Sequence, residues 1–176
     1  MFRFCSNLTN VTIPNSITSI GGDAFLGCTK LAKVTIPNSV TDIGIFAFAD
    51  CTNLTGVYLR GNAPMVSYTT FLNADKVTVY YLPGTTGWGP TFGGRPTALW
   101  KPQVLTGDAN FGVRTNQFGF NVAWASGMDI VVEACTNLAN PVWTPLQTNT
   151  LTSDLLYFSD PAWTNYPARH YRIRWP

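Results

Sequence analysis

The sequence predicts a mainly β protein with two domains, a short solenoid built from repeats and a small antiparallel β-sandwich. Cysteines stand 23 residues apart at Cys5, Cys28 and Cys51, which is a spacing typical of stacked repeats. From Gln103 onward the period disappears, and short apolar segments alternate with turn residues. The composition, with 12 Pro, 15 Gly and only 11% charged residues, favours strands and turns over long helices. We therefore expect domains at residues 1–102 and 103–176.

The repeat is defined by apolar residues that keep the same 23-residue step. They are Leu8, Leu31 and Leu54; Val11, Val34 and Val57; and Ile13, Ile36 and Leu59. In the second copy the inward residues Val34 and Ile36 predict a short strand, which Pro37 ends because proline has no N–H to donate. Val40 and Ile43 predict a second inward pair, and Phe48 fills the far side of the coil. Stacked copies would pair these strands at ~4.8 Å and bury one continuous core.

The repeat becomes irregular after Leu59. Residues 76–79 (KVTV) are similar to residues 33–36 (KVTI), which predicts a shortened last rung in which Val77 follows Val57. Phe71 is then expected to take the place of Phe48.

The segment that follows the last rung is dense in Gly, Pro and aromatic residues. It predicts an irregular cap over the end of the solenoid, anchored by Trp88, Phe92 and Trp100. An exposed aromatic binding loop is the alternative.

The repeated residues resemble the BspA-like leucine-rich repeat family, whose pattern has the form A-F-x-x-C-x-x-L-x-x-V-x-I-P-x-S-V-T-x-I-G. The resemblance covers residues 1 to about 82 and is closest over the first 60 or so. It implies a right-handed coil with a strand ladder, an extracellular or cell-surface location, and a bacterial protein that acts by adhesion or protein binding. The implied partners are host, matrix or other surface proteins, and the family carries no catalytic residues.

The chain starts in the middle of a repeat, because Met1 and Phe2 fall where Ala24 and Phe25 stand in the next copy. Its first ten residues lack the basic and then apolar layout of a signal peptide. We therefore expect the chain to be a fragment whose upstream repeats and export signal are missing.

The C-terminal domain is predicted from strand-like segments that turns separate. The segments are residues 111–114, 117–125, 129–138, 143–151, 155–159 and 169–175. Alternation predicts one inward face made of Phe118, Phe120, Val122 and Trp124, and an equivalent face made of Tyr157, Tyr171 and Ile173. The segment resembles a short C-terminal β-module of secreted bacterial proteins, which agrees with an extracellular setting.

The cysteines invite a metal or disulfide interpretation. A ladder of identical residues points its side chains in parallel, so we expect Cys5, Cys28 and Cys51 to be reduced thiols in the core. No C-x-x-C pair or Cys/His cluster predicts a metal site, and no cofactor is expected. Cys135 lies two residues from Glu133, and both a core position and a free thiol on the outer face remain open.

Catalysis is not expected from the ionisable residues. The single histidine, His170, has no aligned nucleophile or carboxylate in the sequence, and the single glutamate, Glu133, and eight aspartates are dispersed. The net charge of +2 comes without a basic run, although residues 169–174 are locally basic, so no nucleic-acid partner is predicted. No stretch reaches the ~20 apolar residues of a membrane span.

The outer side of the predicted strand ladder is the candidate binding face, because solenoids bind partners on such faces. One row is predicted to present Thr12, Thr35, Tyr58 and Thr78, and the next row Asn10, Lys33, Gly56 and Lys76. Tyr58, with Arg60, Lys33 and Lys76 beside it, is the expected centre of binding.

Two other functions remain open. A carbohydrate-binding accessory module would use Trp88, Trp143, Trp163, Tyr166 and Trp175. A structural spacer would have no ligand at all.

Overall fold

The computed structural model describes residues 2–124 and 127–175, and the chain divides into two compact units, Met1–Trp100 and Lys101–Pro176. Regular structure in these residues consists of β-strands and one short 3-10 helix, Trp163–Asn165, so the mainly β class is confirmed. No helix in the described part of the chain is long and apolar enough to cross a membrane.

The first unit is built on two ladders of strands. Its strands are β1 Ser19–Ile20, β2 Lys33–Ile36, β3 Asp42–Ile43, β4 Gly56–Leu59, β5 Met65–Val66, β6 Thr78–Tyr81, β7 Thr91–Phe92 and β8 Arg95–Leu99. Strands β2, β4, β6 and β8 run parallel in one sheet, and β7 joins β8 antiparallel at its edge. Strands β1, β3 and β5 form the second parallel sheet.

The register of the main ladder corrects the predicted last rung. Val57 pairs with Val79, and not with Val77 as the sequence predicted. Because side chains alternate with a period of two, a slip of two residues leaves the same faces buried. Val77 and Val79 are indeed both buried, so alternation alone could not distinguish the two registers.

Stacked phenylalanines fill the core opposite the main ladder. The rings of Phe2, Phe25, Phe48 and Phe71 lie nearly parallel, with successive centroids 5.6, 5.2 and 5.8 Å apart. Phe71 therefore takes the place of Phe48, as predicted. Phe48 and Phe71 are completely buried, since each has an aromatic ring on both sides.

The repeated thiols point along the stack. Cys28 donates to the carbonyl of Phe2 at 3.0 Å, and Cys51 donates to that of Phe25 at 3.1 Å. Burial raises the pKa of the Cys51 thiol to about 12. Cys5 is exposed, against the prediction of a core position, because within the described residues a neighbouring repeat packs on only one side of it.

The segment after β6 is not the irregular cap that the sequence predicted. Strands β7 and β8 extend the sheet, and β8 pairs with β6 from Thr97 to Leu99. Pro96 is tolerated in β8 because the pairing with β6 begins one residue later. Phe92 is buried against Phe71, and Trp88 packs on the same core.

The second unit contains two antiparallel sheets. Its strands are β9 Gln103–Leu105, β10 Gly112–Arg114, β11 Gln117–Ala123, β12 Asp129–Cys135, β13 Thr144–Thr150, β14 Leu155–Asp160 and β15 His170–Arg174. One sheet has the order β10-β11-β14, with β9 also on β11, and the other has the order β13-β12-β15. The sequence did not predict β9. Residue 125, which ends one predicted strand, and residue 126, in the predicted turn after it, lie outside the described residues.

Aromatic side chains from both sheets meet in the core of this unit. Tyr171 of β15 stacks on Phe118 of β11 at 4.9 Å and meets Phe120 and Phe158 edge-on at 6.0 Å. The predicted inward position of Tyr157 is wrong. Tyr157 is 45% exposed, and Phe158 points inward instead, where its register partner is Phe120.

Two carboxylates are buried in the second unit with cationic partners. Asp160 accepts a hydrogen bond from the Tyr171 hydroxyl at 2.8 Å and forms an ion pair with Arg169 at 3.0 Å. Glu133 on β12 is covered by Arg172 and Arg174 of β15. Cys135 is buried too. Of the two positions that the sequence left open for it, the core position is therefore the correct one.

Candidate functional site

The predicted binding row is present on the outer side of the main ladder, but with one different member. Thr12 pairs with Thr35, Thr35 pairs with Tyr58, and the next residue in the row is Tyr80. The sequence prediction placed Thr78 there, and this is wrong because the register is shifted by two residues.

The remaining predicted site residues flank this row. Thr78 pairs with Gly56, whose partner on the other side is the exposed Lys33. Lys76 lies two residues before β6 begins, so it is not part of the row with Lys33 and Gly56. Arg60 follows β4 directly, and its amide donates to the carbonyl of Ile36 at 3.1 Å.

Three aromatic rings and one guanidinium come together at the centre of this face, and we call them the aromatic cluster. Tyr58 and Tyr80 stack at 4.8 Å with an interplanar angle of 10°. Trp100 leans against Tyr58 at 4.9 Å and 54°, and the Arg60 guanidinium lies 5.6 Å from the Trp100 ring. The aromatic cluster therefore joins residues from three neighbouring segments of the ladder.

Backbone pairing positions each member of the aromatic cluster. Tyr58 and Tyr80 are register partners in adjacent parallel strands. The amide of Trp100 donates to the carbonyl of Tyr81 at 2.7 Å, which holds Trp100 directly after β8. Parallel strands lie about 4.8 Å apart, so ring stacking at that distance follows from the ladder itself.

Gly56 provides the space in which the Tyr58 ring lies. A Cβ atom at residue 56 would come within 2.7 Å of the Tyr58 ring and 2.9 Å of its hydroxyl oxygen. The preceding repeat has Lys33 at this register position. The exchange of lysine for glycine therefore allows Tyr58 to lie over its own strand, and Gly56 is buried beneath it.

The members of the aromatic cluster are half-buried, whereas the sequence predicted a freely exposed Tyr58. Burial, together with the neighbouring Tyr80, raises the pKa of the Tyr58 hydroxyl above its usual range. The hydroxyl is therefore neutral at physiological pH and available as both a donor and an acceptor.

The arrangement is suited to binding another macromolecule. Tyr, Trp and Arg are the residues most enriched among those that carry binding energy at protein interfaces. Stacking also restricts the side chains before a partner arrives, which reduces the entropy lost on binding. The Tyr58–Tyr80 contact occupies one face of each ring.

Two members of the aromatic cluster were missed by sequence reasoning. Val57-Tyr58 recurs as Val79-Tyr80, and this dipeptide indicates the correct register more directly than the similarity of residues 76–79 to residues 33–36. Trp100 was predicted as a cap anchor. No local signal places it beside Tyr58, because that contact depends on β8 joining the ladder.

The residues proposed for carbohydrate binding each contact a different partner within their own unit. Trp88 stacks on Tyr81 at 4.9 Å, and Trp175 is tilted by 50° against Trp124. The guanidiniums of Arg172 and Arg169 lie over the rings of Trp143 and Tyr166.

The fifth of these residues, Trp163, donates its indole N–H to the carbonyl of Asn116 at 3.2 Å. Each of the five rings therefore has a protein partner in the described residues.

Comparison with known proteins gives one match. Searches of curated proteins and of solved structures found nothing that matches the chain. The family model described as BspA type Leucine rich repeat region (6 copies) matches residues 1–87. The match spans the repeats whose register the ladders define, from Phe2 to the end of β6 and a few residues beyond. Residues 1–87 of this chain are therefore similar to the BspA type leucine rich repeat region.

Proposed function

We propose that this chain is a non-enzymatic interaction module of a secreted or cell-surface bacterial protein, and that its repeat unit binds a protein partner through the aromatic cluster. In this proposal the repeat unit winds as a right-handed solenoid and the second unit folds as a small β-sandwich. The family match supports a role in protein interaction. The observation that carries the proposal is the aromatic cluster on the ladder face.

Binding of a protein partner explains why the residue types in the outer row change along the ladder. The row reads Thr12, Thr35, Tyr58 and Tyr80, so two small residues are followed by two large aromatic ones. The inward positions are Val and Ile or Leu beside the first three members, and Val79 and Tyr81 beside Tyr80. A face that varies above a largely constant core is what a solenoid needs to recognise one specific partner.

The ionisable groups support a function without chemistry. The two buried carboxylates in the second unit, Asp160 and Glu133, are each bound to arginine side chains that neutralise them. The buried thiol of Cys51 donates to a backbone carbonyl and has a raised pKa, which disfavours the reactive thiolate.

The test measures binding of the chain to immobilised, purified extracellular-matrix and surface proteins, with a glycan array in parallel. For a protein that binds, Tyr80→Ala and Tyr58→Ala should each weaken affinity by more than about 1 kcal/mol. Tyr68→Ala is the matched control, since Tyr68 is 83% exposed in the same unit and is not in the cluster.

Tyr58 is half-buried, so the folded state of its variant must be verified by circular dichroism. Affinity that survives both cluster substitutions would contradict the proposal. Binding to glycans alone, lost on Trp163→Ala, would establish the carbohydrate-binding function instead.

A further inference from the structure

Strand β15 lies at the edge of its sheet in the second unit. Among the residues that the structure describes, the order β13-β12-β15 leaves one side of β15 without a neighbouring strand in that sheet. Such a side presents backbone N–H and C=O groups that an added extended segment can pair with. His170–Arg174 gives this edge a length of five residues.

A depression of about 270 Å³ lies along this strand. Its lining consists of Arg172, Ile173, Arg174 and Trp175, which are consecutive in the chain. These residues are the last three of β15 and the one that follows it, so the depression lies at the C-terminal end of this edge strand.

The edge carries an excess of positive charge. Arg172 Nε binds Glu133 Oε2 at 2.7 Å, and Arg174 Nε binds Glu133 Oε1 at 3.0 Å. These hydrogen bonds lower the pKa of the Glu133 carboxyl, so it stays ionised. One carboxylate thus faces two guanidiniums, whose side chains remain 45% and 55% exposed.

Both guanidiniums are held in place before any ligand arrives. Glu133 uses the Nε atom of each arginine, and the Arg172 guanidinium also lies 4.4 Å from the Trp143 ring. A cation over an aromatic face is stabilised by the ring quadrupole. Arginine that is already restricted loses less entropy when it binds a carboxylate in the bidentate manner that its planar group allows.

We propose that β15 binds an acidic peptide segment, which adds to the sheet as a further strand and places carboxylates two residues apart against Arg172 and Arg174. The side chains of two residues separated by one along a strand point the same way and stand roughly 6.8 Å apart. An alternating acidic segment therefore matches the spacing of the two arginines. This inference concerns the second unit and does not depend on the function proposed for the repeat unit.

A second copy of the chain is a poorer occupant of the same edge. If β15 paired with the β15 of a second copy, the basic residues Arg172, Arg174 and His170 would lie opposite basic residues. Like charges opposite each other destabilise strand pairs. The sequence of this chain has no two acidic residues separated by one position, so the expected ligand is a different molecule.

The test uses the whole chain and two fluorescein-labelled nonapeptides of identical composition. In one peptide Glu and Val alternate, and in the other the Glu residues are clustered at one end. Fluorescence anisotropy should show the alternating peptide binding about ten-fold more tightly, because close charge pairs in register carry the difference. Arg174→Gln should remove most of that preference, whereas Arg114→Gln, an exposed arginine at the end of β10, should leave it unchanged.

A second arm keeps the protein unaltered, so it does not depend on the folding of a variant. Methylation of alternate backbone nitrogens in the alternating peptide removes the hydrogen bonds of an added strand and should abolish binding. Equal binding of the methylated peptide, or of the two isomers, would overturn the proposal in favour of simple charge attraction. A dimer in sedimentation velocity that the alternating peptide dissociates would identify a second copy as the occupant and also overturn it.

Discussion

The two units bury their side chains by different means. In the repeat unit one residue type recurs at each layer, as in the stack of Phe25, Phe48 and Phe71, and the aspartates of its ion pairs, Asp23 and Asp75, keep contact with solvent. In the second unit the core is a cluster of unlike aromatic rings, and Asp160 and Glu133 are buried with arginine partners. Repetition therefore makes every interior layer equivalent, while the second unit depends on individual contacts.

This difference predicts where single substitutions are most damaging. Phe48→Ala should lower the free energy of unfolding of the repeat unit by about 3–5 kcal/mol, because it opens a cavity between Phe25 and Phe71. Chemical denaturation monitored by hydrogen exchange and mass spectrometry would assign the loss to residues 2–100. Phe2→Ala is the matched control and should cost less, since Phe2 is 45% exposed and stacks on one side only in the described residues. Equal losses would contradict the argument that Phe48 contributes more because it is buried between two rings.

In the second unit the corresponding weak point is Asp160. Asp160→Ala should destabilise this unit by about 3 kcal/mol, because it leaves the Arg169 guanidinium buried without its carboxylate. Tyr171→Phe removes only the hydroxyl that donates to the same carboxylate, and should cost about 1 kcal/mol. The same exchange experiment, read over residues 101–175, measures both losses. Similar effects of the two substitutions would show that the ion pair contributes little.

The stability of the two units should also respond differently to low pH. The pKa of Glu133 is lowered from its usual value of 4.5 by the hydrogen bonds from Arg172 and Arg174. A lowered folded-state pKa contributes stability that is present above the unfolded pKa and is lost as the pH falls through the folded one. The second unit should therefore lose stability below about pH 4.5, and Glu133→Gln should make its stability less dependent on pH in that range. An unchanged dependence in Glu133→Gln would exclude Glu133 as the source.

The smallest expected effect is a gain in the repeat unit. Phe4, Gly27, Asp50 and Asn73 recur at the 23-residue step, and all have positive φ, between 57° and 72°. This conformation suits Gly, Asn and Asp but strains a bulky residue such as Phe4, which is 63% exposed. Phe4→Asn should therefore raise the unfolding free energy by about 0.5 kcal/mol. Thermal denaturation measures whether Phe4→Asn raises the melting temperature. Phe2→Asn is the control and should lower it.

The regularity of the repeat unit explains which of its strands could be predicted from the sequence. Repeated residues up to Leu59 predicted β2, β4 and the phenylalanine stack, because each copy repeats the same information. The register of β6 was missed by two residues, since alternation is identical after a slip of that size. Strand β8 was missed because Pro96 and two glycines suggested irregular structure.

In the second unit most strands were predicted, but which residues they bury was harder to predict. Alternation beside Glu133 left an outer position open for Cys135, yet both are buried. The cover over Glu133 comes from Arg172 and Arg174, which lie about forty residues further along the chain. A shift of register between Val132 and Glu133 also interrupts simple alternation in β12. Contacts of this kind have no local signature.

In the candidate site too, residues within the regular repeats were predicted and residues beyond them were missed. The row of Thr12, Thr35 and Tyr58 was predicted from the repeat and has that order in the ladder. Its fourth member, Tyr80, and the Trp100 contact depend on the irregular end of the ladder, where repetition gives no information.

The most direct test of the central claim, that the aromatic cluster binds the partner, changes the cluster without truncating any of its side chains. Gly56→Ala places a Cβ against the Tyr58 ring, whose free end can move, while Gly21→Ala meets no atom within 4 Å and is the matched control. Surface plasmon resonance should measure the affinity of both variants for the protein selected from the binding panel. We expect Gly56→Ala to bind about ten-fold more weakly, as displacement of a central interface aromatic implies, and Gly21→Ala to bind like the parent chain. Equal affinity of the two variants, with the Tyr58 ring shown by NMR to have moved, would contradict the claim.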